Sequence, residues 1–298
     1  MKKMDLHMHT TYSDDGEFSV GELIEKVKHA RVDVFAIADH NTTEGVIDYL
    51  THHFPSDLTI IPAIEVDCKV NNTHLHVLGY GVDPYYEGFK NMKEFYHKQE
   101  VNNSNDLLEK IRALDIIVNT KACESLMVNG VLTGEMIAEV VLNDERNSKH
   151  PLLKPFRKSE SRSDNPYVNF YWDLCSFGKP AYITMEYITL KEAVDLIKHA
   201  GGVAILAHPG NNIHEDESIL KEIIAHDVIG IETYSSYHTP QQIKYYQNMA
   251  QKYGLLQTVG SDFHGKTKPS IQLGRYIPDE GFKSLYEALQ TAIKEGQS

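Results

Sequence analysis

Long apolar runs, cysteines and surplus positive charge are all scarce in this sequence. No apolar run approaches bilayer length, so we expect no membrane-spanning helix. The three cysteines, Cys68, Cys123 and Cys175, are widely separated and odd in number, which predicts no disulfide framework and favours a reduced, cytoplasmic setting. The net charge of −13, without clustered Lys and Arg, predicts no binding to duplex nucleic acid or to an anionic membrane.

The start of the chain leaves no room for a signal peptide, because Met1 to Met4 lead directly into a predicted strand. Short apolar strands then alternate with amphipathic helices up to residue 83 and again from residue 180, which indicates an α/β fold. The predicted strands cover residues 5–9, 34–38, 58–64, 74–79, 203–207, 228–232 and 257–260. The predicted helices between them include 19–31, 42–54 and 190–200.

Residues 84–179 follow a different pattern. They predict a long helix at 86–114, a second at 133–142, a short aromatic one at 167–177, and little strand. The polar stretch 146–165 contains two prolines and is interpreted as a loop or mobile flap. We therefore predict a discontinuous domain, residues 1–83 and 180–298, with an inserted, mainly helical cap at 84–179.

Metal-ligand residue types recur at the ends of these strands. His7 and His9 are separated by one residue, so both imidazoles face the same side of the first strand. Later strand ends carry His40, Glu65, His76, His208, Asp262 and His264. Each one alone is equally well explained as a cap or loop residue, but eight together predict a metal site at the carboxyl ends of the strands. Mixed imidazole and carboxylate ligands suit Zn, Mn or Fe(II).

The motifs around these residues resemble those of the PHP (polymerase and histidinol phosphatase) family. They are Asp-Leu-His-Met-His, Ala-Ile-Ala-Asp-His-Asn, Pro-Ala-Ile-Glu-Val, His-Val-Leu-Gly-Tyr-Gly, Ala-His-Pro and Gly-Ser-Asp-Phe-His-Gly. Segments 178–182, 201–210 and 237–241 resemble the stand-alone phosphoesterases of that family, which act on small phosphorylated molecules such as nucleoside 3′,5′-bisphosphates and on short oligonucleotides. The resemblance implies a distorted (β/α)7 barrel that holds two or three divalent metal ions.

The resemblance also implies a role for each motif residue. One metal would be held by His7, His9, Glu65 and Asp262, and a second by His76, His208 and the bridging, catalytic Glu65. A third would be held by His40, His264 and either Asp14 or Asp15. His74 is an alternative to His76, Asp5 and Asp39 could orient the imidazoles, and His238 is a predicted contact to the substrate phosphate.

One position departs from the related phosphoesterases. Their insert often carries a Gly-Arg-Pro-His-like run that meets the substrate phosphate, whereas residues 132–136 here contain Glu135 and no Arg. Basic residues of the flap, Arg157 among them, are the remaining candidates for a phosphate contact. We predict that a metal-activated water hydrolyses a small phosphorylated metabolite or nucleotide; histidinol phosphate as substrate, or a non-catalytic metal-binding module, are the alternatives. The sequence indicates no oligomeric state.

Overall fold

The computed structural model describes residues 3–52, 54, 57–276 and 282–297, and these form a mixed α/β structure. Its strands are β1 (Met4–Met8), β2 (Val34–Ile37), β3 (Thr59–Ile60), β4 (Ala63–Val70), β5 (Thr73–Tyr80), β6 (Val203–Leu206), β7 (Gly230–Ser235) and β8 (Leu256–Gly260). Its helices are α1 (Val20–His29), α2 (Glu44–His52), α3 (Glu87–Arg112), α4 (Thr120–Glu124), α5 (Gly134–Asn143), α6 (Pro166–Phe170), α7 (Leu190–His199), α8 (Pro209–Asn212), α9 (Glu217–Ile224), α10 (Pro240–Tyr253) and α11 (Phe282–Gly296). No helix in this described part is both long and apolar enough to cross a bilayer.

The helices begin where the sequence provides caps. Ser19 accepts a hydrogen bond from the Glu22 backbone while the Glu22 carboxylate accepts one from the Ser19 N–H, which is the capping box predicted for α1. Thr189 forms the same reciprocal pair at the start of α7. These caps explain why both helices start within a residue of their predicted positions.

The strands form two sheets. In the first, β1, β2 and β3 are parallel neighbours. In the second, the order is β4-β5-β6-β7-β8, with antiparallel pairing at β4–β5 and β5–β6 and parallel pairing after that. The two sheets meet at both edges through a few hydrogen bonds, for example from the Asp262 N–H to the His7 carbonyl at 2.8 Å.

These contacts do not close the strands into one barrel, so the predicted α/β class is confirmed, while the predicted distorted (β/α)7 barrel stays a prediction. The physical reason lies at the two junctions. Asn41, after β2, has φ of 55° and Asp262, after β8, has φ of 59°. Left-handed residues cannot continue an extended ladder, so the sheets are joined there only by isolated bridges, Met8 with Phe263 and His40 with Glu65.

The predicted strand 58–64 is divided by Pro62, which has no N–H to give to a ladder. The second part, β4, runs on past Glu65 to Val70 and turns back into β5 through Asn71 and Asn72. Asn71 has φ of 51°, as a tight hairpin turn requires. Glu65 and His76 therefore lie within paired strands, and the prediction that each ends a strand is wrong.

The inserted segment has a hydrophobic core of its own. Leu108, Ile111, Ile137 and Phe170 belong to a buried cluster that includes no residue of the strands. The first half of α3 packs elsewhere: Phe89, Met92 and Tyr96 lie in the cluster beneath β4 and β5. Helix α3 therefore ties the insert to the sheet.

The interpretation of residues 146–165 as a loop or mobile flap did not include the contacts that hold this segment to the insert. Leu153 and Phe156 are buried in the core of the insert, on a short 3₁₀ helix, Pro151–Phe156. Arg162 forms an ion pair with Asp173, Nε to Oδ2 at 2.9 Å. The segment is polar because its outer face meets solvent, but its few apolar residues fix it to the insert.

Candidate metal centre

The strand-end residues predicted as metal ligands come together in one buried cluster. Within each group of candidate ligands, the nitrogen and oxygen atoms lie within 4.8 Å of one another. The groups are His7, His9, Glu65 and Asp262; Glu65, His76 and His208; His9, Asp15, His40 and His264; and His40, Asp67 and His76. We call these ten residues the ligand cluster.

Glu65 lies at the centre of the cluster and is completely buried. Its Oε2 is 3.1 Å from His7 Nε2 and 3.2 Å from His40 Nδ1. Its Oε1 is 3.0 Å from both His76 Nδ1 and His208 Nε2. A carboxylate that faces four imidazoles from two oxygens has the geometry expected of a bridging ligand.

Hydrogen bonds from Nδ1 orient several of these imidazoles. His7 Nδ1 donates to Glu232 Oε1 at 2.9 Å, and His208 Nδ1 donates to Asn212 Oδ1 at 2.9 Å. His9 Nδ1 donates to Ser13 Oγ at 3.0 Å. His264 Nδ1 donates to the Asp262 carbonyl at 2.9 Å. Because each Nδ1 carries the proton, the Nε2 lone pair is left free to bind a metal.

The two carboxylates that the sequence suggested as orienting groups accept hydrogen bonds from backbone N–H groups and from hydroxyls. Asp39 Oδ1 accepts hydrogen bonds from the Thr10 N–H at 2.6 Å and from Ser13 Oγ at 3.0 Å. Through Ser13 it therefore holds His9 indirectly. Asp5 accepts from the backbone N–H groups of Ser261 and Gly274 and contacts no imidazole among the described residues.

Unsatisfied buried atoms show that the cluster fits metal ions. His7 Nε2, His9 Nε2, His40 Nδ1, Glu65 Oε2 and Asp262 Oδ1 are all buried, and none has a hydrogen-bond partner in the described part of the chain. An orphaned buried polar atom is costly, and five of them aimed at one space call for a ligand. Imidazole nitrogens and carboxylate oxygens are the donors preferred by Zn, Mn and Fe.

The electrostatics of the cluster favour positive charge. Burial opposes ionisation of Glu65, but His7, His40 and His76 outweigh it and hold the pKa of Glu65 well below its usual range. Burial likewise opposes protonation of His76, yet Glu65 and Asp67 raise the pKa of His76 to about 10. The carboxylates thus attract cations, and metal ions would displace the protons.

Two candidate ligands have strained backbones. His208, just before Pro209, has φ of 23°, and Asp262 has φ of 59°. A non-glycine residue in this region costs about 1–3 kcal/mol. Packing and pairing of the residues before and after each position offset this strain. Each side chain is thereby directed into the cluster.

The structure distinguishes the alternatives that the sequence left open. Asp15 Oδ2 lies 3.1 Å from His264 Nε2 and belongs to the cluster, whereas Asp14 lies on the wall of the adjoining cavity. His76 contacts Glu65, while His74 contacts Asp67 at 3.5 Å and lies beside Tyr187. Asp15 and His76 are therefore the better candidates.

We expect Asp15→Asn to lower the metal content by about one equivalent, because an amide is a weaker ligand than a carboxylate. Asp14→Asn should leave the metal content unchanged, which makes it the matched control. Elemental analysis of the two purified variants measures the difference. Loss of metal from the Asp14 variant alone would reverse this assignment.

The structure does not bring the two predicted phosphate contacts into the cluster. His238 is buried behind it: its Nδ1 donates to the Thr233 carbonyl at 2.9 Å and its Nε2 accepts from the Gly210 N–H at 3.0 Å. Arg157 donates to the carbonyls of Leu142 and Asn147 inside the insert. Their contact with substrate stays a prediction, and both side chains have structural partners.

Three further residues belong to the site but were not predicted. Asp67 Oδ1 lies 3.0 Å from His76 Nε2. Glu232 is fully buried and holds both the His7 ring and the backbone N–H of His208. Lys268 is buried, and its Nζ lies 2.7 Å from Asp262 Oδ2. Asp67 was detectable, because it lies two residues after Glu65 and so faces the same side of a strand.

A cavity of about 430 Å³ lies between the ligand cluster and the insert. Asp15, His40, Asp67 and His76 of the cluster line one side of it. The insert and the segment that follows it supply the other side, including Glu100, Glu135, Tyr171, Trp172, Tyr182 and Tyr187. A cavity of this volume suits a small molecule.

Three carboxyl groups of the cavity wall have raised pKa values. Burial, with Asp15 nearby, raises the pKa of Asp14 to about 6. Burial, with Asp14 and Asp67 nearby, raises the pKa of Glu100 to about 8. Burial, with Asp15 nearby, raises the pKa of Glu135 to about 7. Neither Glu100 nor Glu135 forms a salt bridge within the described part of the chain, although Lys93 and Lys268 also line the cavity.

The mixed α/β fold brings together clustered imidazoles and carboxylates that could hold divalent metal ions beside a small-molecule cavity. The PHP domain family model matches residues 5–147, so this part of the chain is similar to the PHP domain. That match covers β1 to α5, and thus the ligands from His7 to His76.

Two relatives match nearly the whole chain. The 5′-3′ exoribonuclease Rnm of Escherichia coli is 28% identical over 303 residues, with 97% of this chain and 96% of the relative covered. The 3′,5′-nucleoside bisphosphate phosphatase of Chromobacterium violaceum is 25% identical, with 92% and 91% covered. A Bifidobacterium adolescentis structure, assigned to the metal-dependent phosphoesterases, has a TM-score of 0.78 at 22% identity, with 97% and 96% covered, and shares the fold.

Proposed function

We propose that this protein hydrolyses phosphoric ester bonds of a small phosphorylated substrate with the help of divalent metal ions. The observation that carries the proposal is Glu65, a buried carboxylate that faces four imidazoles across distances of 3.0–3.2 Å. The names of the relatives support it, since both act on phosphoric esters of nucleotides or RNA.

The ligand sets follow from the geometry. His7, His9, Glu65 and Asp262 would hold one ion, and Glu65, His76 and His208 a second. Asp15, His40 and His264 would hold a third, with Zn, Mn or Fe as the candidate metals. When bound, such ions lower the pKa of a coordinated water and offset the charge of the phosphate.

The chain's own residues have separate tasks. Glu232 and Ser13 fix the tautomers of His7 and His9. Lys268 lines the cavity and contacts Asp262, so it is the described cation best placed to meet a phosphate oxygen. Asp14, Glu100 and Glu135 face the rest of the substrate.

We further propose that the strands form a distorted barrel interrupted at the two left-handed junctions, and that residues 84–179 are a cap domain that shapes the pocket and excludes water. The binding of a small phosphorylated substrate rather than duplex nucleic acid, and a cytoplasmic location, likewise remain predictions. The size of the cavity and its position beneath the insert support the first of these.

Metal content and turnover together test the proposal. Protein purified without chelator should contain at least about two equivalents of transition metal per chain and should release phosphate from 4-nitrophenyl phosphate. Removal of the metal should abolish turnover, and Mn or Zn should restore it. Protein that remains metal-free and refuses both ions would overturn the proposal.

A further inference from the structure

The loop between β7 and α10, residues 236–239, contributes no residue to the ligand cluster, yet it reaches two of its members. In the second sheet β7 lies between β6 and β8, and all three strands are parallel. Strand β6 ends two residues before His208, and β8 ends two residues before Asp262. These are the two candidate ligands with left-handed backbones. The loop after β7 therefore emerges between the two strained ligands.

Tyr237, on this loop, holds the carboxylate of Asp262 in one orientation. Its hydroxyl donates a hydrogen bond to Asp262 Oδ2, the oxygen that Lys268 Nζ also contacts. Asp262 Oδ1 has no hydrogen-bond partner in the described part of the chain, and it lies 3.0 Å from His9 Nε2 and 3.3 Å from His7 Nε2. One carboxylate oxygen is thus bound by two donors, while the other faces the imidazoles that would share a metal ion with it.

His238, the next residue, holds the turn that carries His208. Its Nε2 accepts a hydrogen bond from the Gly210 N–H at 3.0 Å, and its Nδ1 donates to the Thr233 carbonyl at 2.9 Å. Only a neutral imidazole can do both, and burial lowers the pKa of His238. A Cβ at Gly210 would lie 2.6 Å from the His238 ring, so the two are in close contact. The ring therefore fixes the backbone two residues after a ligand whose φ is 23°.

We propose that Tyr237 and His238 are positioning residues that hold Asp262 and His208 in their strained, metal-binding conformations. The proposal rests on the proposed metal-dependent function and adds residues that bind no metal themselves. The Tyr237 ring also meets the His208 ring edge to face, with centroids 5.5 Å apart. A left-handed backbone costs free energy at a non-glycine residue, so both ligands would relax out of the cluster without these contacts.

Zinc affinity measures this role without turnover. Metal-stripped protein, titrated with Zn²⁺ against a chromophoric chelator, should bind zinc roughly tenfold or more weakly in Tyr237→Phe, the scale of effect expected when a group that orients a ligand is lost. Tyr85→Phe makes the same change on an exposed tyrosine and should keep the wild-type affinity. His238→Ala should also weaken zinc binding. His238→Gln should recover part of that loss, because its Oε1 can accept the Gly210 N–H.

Kinetics distinguish positioning from the predicted contact of His238 with the substrate phosphate. At a fixed, limiting Zn²⁺ concentration, His238→Ala should lower kcat for 4-nitrophenyl phosphate and leave KM within about twofold, because fewer molecules carry a complete metal centre. A substrate contact would instead raise KM and leave the zinc affinity unchanged, and that result would overturn the proposal for His238.

The failures can be told apart. If the wild-type protein binds no zinc, the proposed function and this inference fail together. If it binds zinc but hydrolyses no phosphate ester, the proposed function fails, and the zinc affinities of the variants still decide this inference. If it does both, and Tyr237→Phe binds zinc as tightly as the wild type, only this inference is overturned. Tyr237→Phe keeps the ring, so it decides the matter even if circular dichroism shows that His238→Ala is unfolded.

Discussion

Glu65→Gln is expected to reduce turnover of phosphate esters on the order of a thousandfold or more, equivalent to about 4 kcal/mol of transition-state stabilisation. The amide keeps the shape of the side chain but removes the negative charge that four imidazoles face. Metal content should fall in parallel, because Glu65 is shared between two of the ligand groups. Steady-state kinetics and elemental analysis measure both effects.

A matched control separates this effect from a general loss of charge. Glu94 is exposed on α3, and Glu94→Gln should leave turnover and metal content at wild-type levels. Circular dichroism should show that both variants are folded. Near-normal turnover of Glu65→Gln would mean that Glu65 is not a bridging ligand.

Gly260→Ala is expected to disrupt the metal centre although glycine carries no ligand atom. A Cβ at this position would lie 2.3 Å from His7 Cβ and 2.2 Å from Glu232 Oε1. His7 is fixed by β1, so neither neighbour can yield without moving the ring. We expect metal content to fall and kcat to drop by roughly a hundredfold, the scale of effect seen when the support of a metal ligand is lost.

Gly21→Ala is the control for this second prediction. In α1, a Cβ at Gly21 would meet only the tip of the Phe54 ring at 3.3 Å. Alanine also favours helix over glycine by about 1 kcal/mol, so the melting temperature should hold or rise while activity persists. Full metal content in Gly260→Ala would contradict the prediction, because it would show that β8 packs less closely against β1 than these distances indicate.

The ligand cluster was predictable because alternation along a strand and recurrence at strand ends are both visible in a sequence. His7 and His9 needed only the two-residue period of a strand. Asp67 was not predicted because the predicted strand ended near Glu65. The pair Asn71-Asn72, which follows alternating apolar and polar residues, indicated a hairpin and thus a longer strand. Glu232 and Lys268 could not be assigned, since their roles depend on partners far apart in the sequence.

The inserted segment also has features that could not be predicted from the sequence. Its helices could be predicted from periodicity, but the polarity of residues 146–165 gave no sign that Leu153 and Phe156 would anchor them. Arg157 was assigned to the substrate because a basic residue was expected there. Tertiary contacts bring the Arg157 guanidinium to the carbonyls of Leu142 and Asn147, so it also has structural partners, and its contact with substrate stays a prediction.

The ligand cluster draws its residues from the first and the last strands of the chain. A nascent polypeptide that carries His7 and His9 cannot complete the cluster until Asp262 and His264 have been synthesised. A metal ion held by His7, His9, Glu65 and Asp262 would therefore be acquired late in biosynthesis, and it would join the two ends of the chain across a loop of most of its length. Such a link restricts the unfolded chain in the way a long-range disulfide does, so metal supply would also set the lifetime of the folded protein.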